Sequence, residues 1–289
     1  VMTDDFNVYK CLSNSETNSS GSVATTSTVK PTGTGTSIIS TADGHKWKFM
    51  YQISASDALK FVTPNFIPVD TVRRANGTLA NTFDNSPAQV QFDVETATAA
   101  SGGGNGAIEV IHLTTRGSQY LGEVGNLSSV TNTTTVTITG SSLGADDSIV
   151  NSDIYFTSGD ASGTGGTITD YNGTSKVVTF SPAVGTAPSS TDGYAIGPKI
   201  VISGDGQGAN ARATVNSTGA INATAVIAGG NNYSNATITV ISNASQSNSY
   251  NPSPTAVLTP IIGPRGGHGS DAIQELGGFF ILINQRLEY

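Results

Sequence analysis

Charge and cysteine are both scarce in this sequence. Charged residues make up 12% of the chain, about half of the ~25% that is usual in a soluble domain. Leu, Glu, Lys and Arg, on which long helices depend, are few. Cys11 is the only cysteine, which excludes an internal disulfide and argues against a disulfide-stapled secreted module. Its neighbours Tyr9 and Leu12 favour a buried, structural thiol.

Basic patches and long apolar runs are missing as well. The formal net charge is −8 and the isoelectric point is near 4.7, so nucleic acid is a poor partner. No apolar run approaches the ~18 residues that a membrane-spanning helix needs, and we expect no membrane contact. The chain starts at Val1 without a signal-peptide layout. Because Val1 is not Met and residues 279–289 have the pattern of a strand, we expect a piece of a longer chain.

Glycine, serine, threonine and asparagine dominate what is present. The chain has 34 glycines, and between them stand short runs of Val, Ile and Thr, which favour strands. Gly and Asn favour the turns that join such strands. This pattern predicts an all-β protein with a minor helical part, in which a β-sandwich-like frame carries small inserted β modules.

The stretch from Thr41 to Val69 contains the only tryptophan and predicts the centre of the frame. Trp47, Phe49 and Tyr51 alternate with polar residues, and this period of two predicts a strand with one buried face. So many aromatic side chains indicate a main anchor of the fold. We expect these and similar residues to form the structural core or an interface: Tyr9, Trp47, Phe49, Tyr51, Phe61, Phe280 and Ile281.

Two short helical turns are expected among the strands. Ser54 or Ser56 caps the first, and residues 271–276 form the second. After it, residues 278–289 have the pattern of a long apolar strand. Its first part, residues 279–283, is apolar on both faces, which predicts a central strand or a strand covered by a partner. We hypothesise that this strand pairs with the strand of Trp47 and that its other face contacts an inserted module or a neighbouring subunit.

An imperfect internal repeat is visible in the middle of the chain. Residues 108–125 and 221–241 each contain a strand, a Gly-x-x-Tyr turn and a return strand. Tyr120 and Tyr233 are expected to lay their rings over these turns and to bond through their hydroxyl groups. Between the two copies, an Asn-Gly pair at 172–173 predicts a hairpin turn.

These patterns divide the chain into four parts. We expect the repeat module and the module inserted in it to be carried by the frame, because lengthening an exposed loop has a small entropic cost. The parts are the N-terminal frame (1–100), the repeat module (101–129 and 197–242), the inserted β module (130–196), and a Pro-rich linker with the C-terminal frame strand (243–289).

No group of residues assembles into a catalytic or cofactor site. The glycine-rich run at 204–208 echoes a dinucleotide fingerprint, but no helix follows it to bind a phosphate. Acidic turn residues such as Asp146 lack the spacing of a calcium loop. We predict a protein that is not an enzyme, with no cofactor and no metal. The histidines are far apart in the sequence and are expected at the surface or at an interface: His45, His112 and His268.

Three segments carry a resemblance to a known family. Residues 8–12 have the sequence VYKCL, and after a polar loop residues 44–53 have the sequence GHKWKFMYQI. This order of aromatics resembles the baseplate wedge protein of T-even-like contractile-tailed phages, the subunit usually called gene product eight. The run PRGGHGSDAIQELGG at 264–278 is similar to marine-phage members of that family. The middle of the chain departs from the T-even version and resembles β modules of phage tail and fibre proteins.

The resemblance implies a structural virion protein that acts by assembly. Such a subunit binds other baseplate wedge proteins, forms a homodimer and resides in the tail baseplate after assembly in the host cytoplasm; His268 is expected to make a turn contact there. The alternative is a carbohydrate- or host-surface-binding adhesin or tail-fibre module. A polysaccharide-degrading enzyme ranks third, because no carboxylate pair has a defined spacing. In the adhesin, host-surface glycans would stack on exposed tyrosine rings: Tyr120, Tyr171 and Tyr233.

Overall fold

The computed structural model describes residues 1–14, 26–69, 105–140, 143–241, 255–269, 271–281 and 283. Predicted features that lie wholly or partly outside them are the polar loop after the first strand, residues 70–100 of the N-terminal frame, the linker at 243–254 and the last six residues. Within the described residues the chain forms fifteen strands and two short helices, which confirms the all-β prediction.

The helices are α1 (Ala55–Phe61) and α2 (Ala272–Leu276). The strands are β1 (Asn7–Ser13), β2 (Ile39–Ser40), β3 (Lys46–Gln52), β4 (Ile108–Thr115), β5 (Glu123–Val130), β6 (Thr135–Ile138), β7 (Asp153–Phe156), β8 (Gly165–Asn172), β9 (Val177–Ser181), β10 (Gly193–Gly197), β11 (Lys199–Gly204), β12 (Gln207–Val215), β13 (Ile221–Asn231), β14 (Ala236–Ile241) and β15 (Val257–Ile262).

The N-terminal unit is a three-stranded sheet in the order β1-β3-β2. Its central strand β3 pairs antiparallel with β1 along its length and with β2 at its start. Helix α1 follows β3. The Ser54 side chain accepts a hydrogen bond from the backbone N–H of Asp57 at 3.0 Å, which satisfies one of the free donors of the first turn. Of the two serines predicted to cap this helix, Ser54 is therefore the N-cap.

Both faces of β3 are buried, so the prediction of a single buried face was wrong. Trp47 and Phe49 belong to one apolar cluster, and Met50 belongs to another. Lys48, expected in solvent, is 4% exposed, and its Nζ donates to the carbonyl oxygen of Thr36. A lysine can be buried in this way because its stem packs among apolar groups while its ammonium group has a polar partner.

Residues 123–197 form a closed barrel of six antiparallel strands in the order β10-β5-β6-β9-β8-β7. Closure leaves none of these strands with a free edge. The Asn-Gly pair predicted as a turn lies between β8 and β9, where Asn172 Oδ1 accepts the N–H groups of Thr174 and Ser175. The largest side chains of the barrel core are fully buried: Ile138, Ile149, Ile154, Phe156, Ile168, Tyr171, Phe180 and Tyr194.

The second β unit consists of β4 and β11 to β15. These strands form three antiparallel ribbons, β11-β14, β12-β13 and β15-β4, which share one apolar core. At one end of β4 and β13 the N–H of Tyr233 donates to the carbonyl of Gly106, and at the other end the N–H of Ile221 donates to the carbonyl of Arg116. The ribbons are therefore held together by backbone hydrogen bonds as well as by apolar packing.

The module boundaries differ from those predicted. Strand β5, expected to return in the first repeat copy, belongs to the barrel, and β14 pairs with β11 rather than with β13. Each repeat copy therefore turns a corner at its tyrosine, and its two strands lie in different sheets. Strand β15, assigned to the linker part from sequence, pairs with β4. The barrel thus interrupts the second β unit between β4 and β11.

The C-terminal strand predicted at 278–289 is absent from the described residues of that segment, which are 278–281 and 283. Phe279, Phe280 and Ile281 belong to no strand and are 85%, 81% and 90% exposed. The partners of β3 are β1 and β2. The described residues of the predicted strand therefore do not pair with the strand of Trp47, and residues 282 and 284–289 of it lie outside the described residues.

Cys11 is exposed, so the prediction of a buried thiol was wrong as well. The pairing of β1 with β3 shifts register between Cys11 and Ser13. Leu12 and Ser13 are both buried at this irregularity. Simple alternation along β1 fails there, which leaves Cys11 on the outside.

Candidate functional site: a histidine clamp beside an apolar groove

His268 lies between two carboxylates that come from different parts of the fold. Its Nε2 is 2.8 and 2.9 Å from the two carboxylate oxygens of Glu109 on β4. Its Nδ1 contacts Oε1 of Glu275 on α2, and the same oxygen is 3.1 Å from Nζ of Lys10 on β1. These four residues form what we name the histidine clamp. His268 is 2% exposed.

Glycines shape the loop that carries His268. Gly266, Gly267 and Gly269 have φ angles of 86°, 83° and 83°, in the left-handed region that other residues rarely adopt. The N–H of Gly269 donates to the Glu275 carboxylate at 2.9 Å. The glycine-rich sequence is thus needed to bring both the ring and a backbone donor to the same carboxylate.

The electrostatics of the clamp favour a charged histidine. Burial lowers the pKa of His268, but hydrogen bonds and charge from Glu109 and Glu275 outweigh it and raise the pKa from 6.5 to about 9. Burial also opposes the ionised form of Glu275, yet His268, the Gly269 N–H and Lys10 together lower the pKa of that carboxyl to about 2. At neutral pH the His268 ring is therefore an imidazolium. One of its N–H groups donates to the carboxylate of Glu109 and the other to that of Glu275.

This geometry is suited to holding elements together rather than to acid–base chemistry. A general acid or base needs a ring nitrogen that can exchange a proton with a substrate, and both nitrogens of His268 are engaged by carboxylates. Across the part of the chain that the structure describes, no group of three or more His, Cys, Asp or Glu side chains could hold a metal. A second contact joins β1 to β4, where Ser13 Oγ is 2.7 Å from Nδ1 of His112.

An open apolar groove of about 720 Å³ lies beside α2. One wall is the segment after α1, at residues 65–69, and the other is formed by residues of α2 and the segment at 277–281. The rings of Phe66 and Phe280 meet edge to face, with centroids 5.8 Å apart. None of the described residues that line the groove is charged.

The groove carries a cluster of highly exposed apolar side chains. Phe279, Phe280 and Ile281 all line it, and each is more than four-fifths exposed. Ile283, two residues further along, is 81% exposed. Soluble proteins rarely expose a contiguous apolar surface outside an interaction site.

Helix α2 is common to the clamp and the groove. Its Glu275 contacts His268, while Ile273 and Leu276 line the groove. The helix has 5 residues and is capped by Asp271. Because a helix of this length is not stable alone, its position depends on contacts with its surroundings.

The predicted core or interface residues fall into two groups. Four are buried in the N-terminal unit: Tyr9, Trp47, Phe49 and Tyr51. Three line the groove: Phe61, Phe280 and Ile281. The aromatic centre of the fold and the exposed apolar surface are therefore separate places.

His45 and His268, both expected at the surface or an interface, are 2% exposed. The ring of His45 stacks on Trp47 with centroids 5.8 Å apart. The clamp was missed from sequence because Glu109 precedes His268 by 159 residues. The one local signal is Glu275, which follows His268 by 7 residues.

The tyrosines of the adhesin alternative are buried. Tyr120, Tyr171 and Tyr233 are 4%, 1% and 3% exposed, so their rings offer no accessible face for a sugar, and the predicted stacking role was wrong. The hydroxyl of Tyr120 accepts the N–H of Ala256 at 2.9 Å, and that of Tyr233 accepts the N–H of Ala209 at 3.4 Å. The expected bonding through the hydroxyl groups of Tyr120 and Tyr233 is confirmed.

No protein-family model, no curated protein and no solved structure matches the chain. Among the described residues, neither helix is long and apolar enough to cross a membrane. Function must therefore be inferred from the clamp, the groove and the resembling segments at 8–12, 44–53 and 264–278.

Proposed function

We propose that the protein is a structural subunit of a contractile phage tail, of the baseplate wedge type, which acts by protein–protein contact rather than by catalysis. The observation that carries this proposal is the uncharged groove with its exposed apolar residues. Such a surface requires a partner in an assembly. The resemblance of residues 8–12, 44–53 and 264–278 supports the wedge type, and other wedge proteins are its further partners in the virion.

A second copy of the same chain is the occupant that the groove suits. The chain has a net charge of −8, so two copies repel one another, but the groove brings no charged side chain into the contact. In a dimer with two-fold symmetry, the same surface patch of each copy faces the other copy. The patch must therefore carry both a group that projects and a depression that receives the projecting group of the other copy. Exposed Phe279 and Ile281 supply the projection, and the space beside Phe66 supplies the depression.

Light scattering of the purified chain tests this contact. We expect the wild-type chain to form a dimer and Phe280→Asp to be a monomer, because the change places a charge in an apolar contact. Leu59→Asp is the matched control: Leu59 is also highly exposed, at 90%, but it does not line the groove. Raising the salt concentration should strengthen the dimer by screening the repulsion. A monomeric wild-type chain, or equal effects of the two substitutions, would contradict the self-contact.

Placement in a tail is tested on purified particles. Antibodies against the chain, coupled to gold and viewed by electron microscopy, should label the baseplate end of the tail. Particles that lack the chain would overturn the wedge assignment. Label on the fibres together with saturable binding on a glycan array would replace it with the adhesin.

A further inference from the structure

We infer that the histidine clamp positions the α2 wall of the groove, so that the assembly surface is complete only while the second β unit is attached to the N-terminal unit. This inference rests on the proposed function for the meaning of the groove. It concerns His268 and Glu109 as positioning residues, since neither lines the groove itself.

The two walls of the groove are held by different means. The wall at 65–69 is tied to the N-terminal unit, where the hydroxyl of Tyr51 donates to the carbonyl of Pro68 at 2.7 Å. Leu276 of α2 packs against the same unit. The polar anchor of α2 is Glu275, and its contact with His268 connects it to Glu109 of the second β unit. Loss of the clamp therefore loosens one wall and leaves the other in place.

Removing His268 from the clamp has two effects. It removes a contact, and it also leaves carboxylates that repel each other. The groups that face His268 are Glu109 from β4 and Glu275 from α2, with Lys10 of β1 behind Glu275. With a charged histidine, two cations balance two carboxylates. Without it, two carboxylates remain with one lysine that is itself partly in solvent, and like charges repel. The repulsion acts directly between β4 and α2.

Hydrogen exchange on the full-length chain tests the inference. In the wild type the N–H of Gly278 donates to the carbonyl of Ile273 at 2.7 Å, so amides at the end of α2 should exchange slowly. We expect His268→Gln to speed exchange of residues 274–278 by about 10- to 100-fold, the range that follows from losing charge-assisted hydrogen bonds. Exchange in the barrel strands β8 and β9 should not change, which separates local loosening from unfolding.

His112→Gln is the matched control, because it removes a histidine contact between β1 and β4 without touching α2. It should leave exchange at 274–278 unchanged. Equal exchange in wild type and His268→Gln, or equal acceleration in the two variants, would overturn the inference.

Glu109→Gln adds a second measurement, the titration of the His268 ring. This titration would not change if Glu109 only filled space. This substitution keeps the size of the side chain and removes its charge. In NMR titrations the His268 ring should lose its proton at lower pH in Glu109→Gln than in the wild type, and exchange in α2 should accelerate over the same pH range. An unshifted titration would show that Glu109 does not act through His268.

The measurement is made at a protein concentration where light scattering gives a monomer. Its outcome is then independent of self-association. If the chain never dimerises but α2 loosens as expected, the self-contact fails and the positioning role stands. If the chain dimerises but exchange in α2 is the same in the wild type and in His268→Gln, the self-contact stands and the positioning role fails.

Discussion

Glu123 and Ile196 are direct partners in the antiparallel ladder between β5 and β10. Glu123 is the first residue of the first barrel strand, and Ile196 is the penultimate residue of the last. Because antiparallel partners lie about 5 Å apart, the chain enters and leaves the barrel at the same place. The barrel is therefore inserted into the second β unit through one seam, the geometry that domain insertion tolerates.

Excision of residues 123–197 should leave the rest of the chain folded. A short Gly-Ser linker can bridge the seam, and the released segment should fold alone because it has a closed sheet and its own core. Cooperative urea unfolding, followed by circular dichroism for each piece, measures this. A cut at the sequence-predicted limits, residues 130–196, would separate β5 from its barrel and should give an unfolded fragment. Non-cooperative unfolding of both 123–197 and the remainder would count against the insertion.

Trp47→Ala should strongly destabilise the N-terminal unit. Trp47 is 6% exposed and packs with Tyr9 and Phe49, and truncating a buried aromatic typically costs about 3–5 kcal/mol. Leu59→Ala, at a site 90% exposed, should change the free energy of unfolding by less than about 0.5 kcal/mol. Urea unfolding monitored by far-ultraviolet circular dichroism compares the two. A loss below about 1 kcal/mol for Trp47→Ala would mean that this cluster is not a core.

Gly206→Ala should destabilise the second β unit. A Cβ at Gly206 would lie 2.4 Å from Cγ of Tyr233 and 2.6 Å from the carbonyl oxygen of Asn231. Overpacking of this kind costs about 1–3 kcal/mol. Gly185→Ala serves as the control, because a Cβ there meets nothing within 4 Å. Thermal unfolding should separate the two variants, and identical melting temperatures would contradict the close approach of Tyr233 to this turn.

Features encoded within a few residues were predictable from the sequence. The cap at Ser54, the helical turn at 271–276 and the Asn-Gly turn at 172–173 all depend on local backbone chemistry. The pairing of strands was not predictable in the same way. Alternation shows which residues of β5 and β14 share a face, but it does not show which strand lies beside them. In the structure β5 lies in the barrel and β14 pairs with β11, and neither pairs with the strand expected from the repeat.

The candidate site was the least predictable part. Glu109 and His268 are separated by 159 residues in the sequence. No periodic pattern in the sequence links residues that far apart. The exposed apolar run at 279–281 has the composition of a strand, but a strand also requires a backbone partner, and the described residues supply none. The aromatic residues around Trp47 were easier, since a dense aromatic pattern indicates burial wherever the strands pair.

The stability of the folded chain should depend on pH through the clamp. The pKa of His268 is raised from 6.5 to about 9, so its contribution is fully present below pH 6.5 and is lost as the pH rises through 9. The pKa of Glu275 is lowered from 4.5 to about 2, so its contribution is present above pH 4.5 and is lost as the pH falls through 2. The clamp should stabilise the fold most between pH 4.5 and 6.5.

Urea unfolding between pH 4.5 and 9.5 measures this dependence. The free energy of unfolding should decline from pH 6.5 towards pH 9 in the wild type, because the unfolded histidine releases its proton while the folded one keeps it. His268→Gln should be less stable at pH 6 and should lack most of this decline, so the two curves converge at high pH. His112→Gln, which alters a histidine outside the clamp, should follow the wild-type slope. Parallel curves for wild type and His268→Gln would show that His268 is not held as an imidazolium between Glu109 and Glu275.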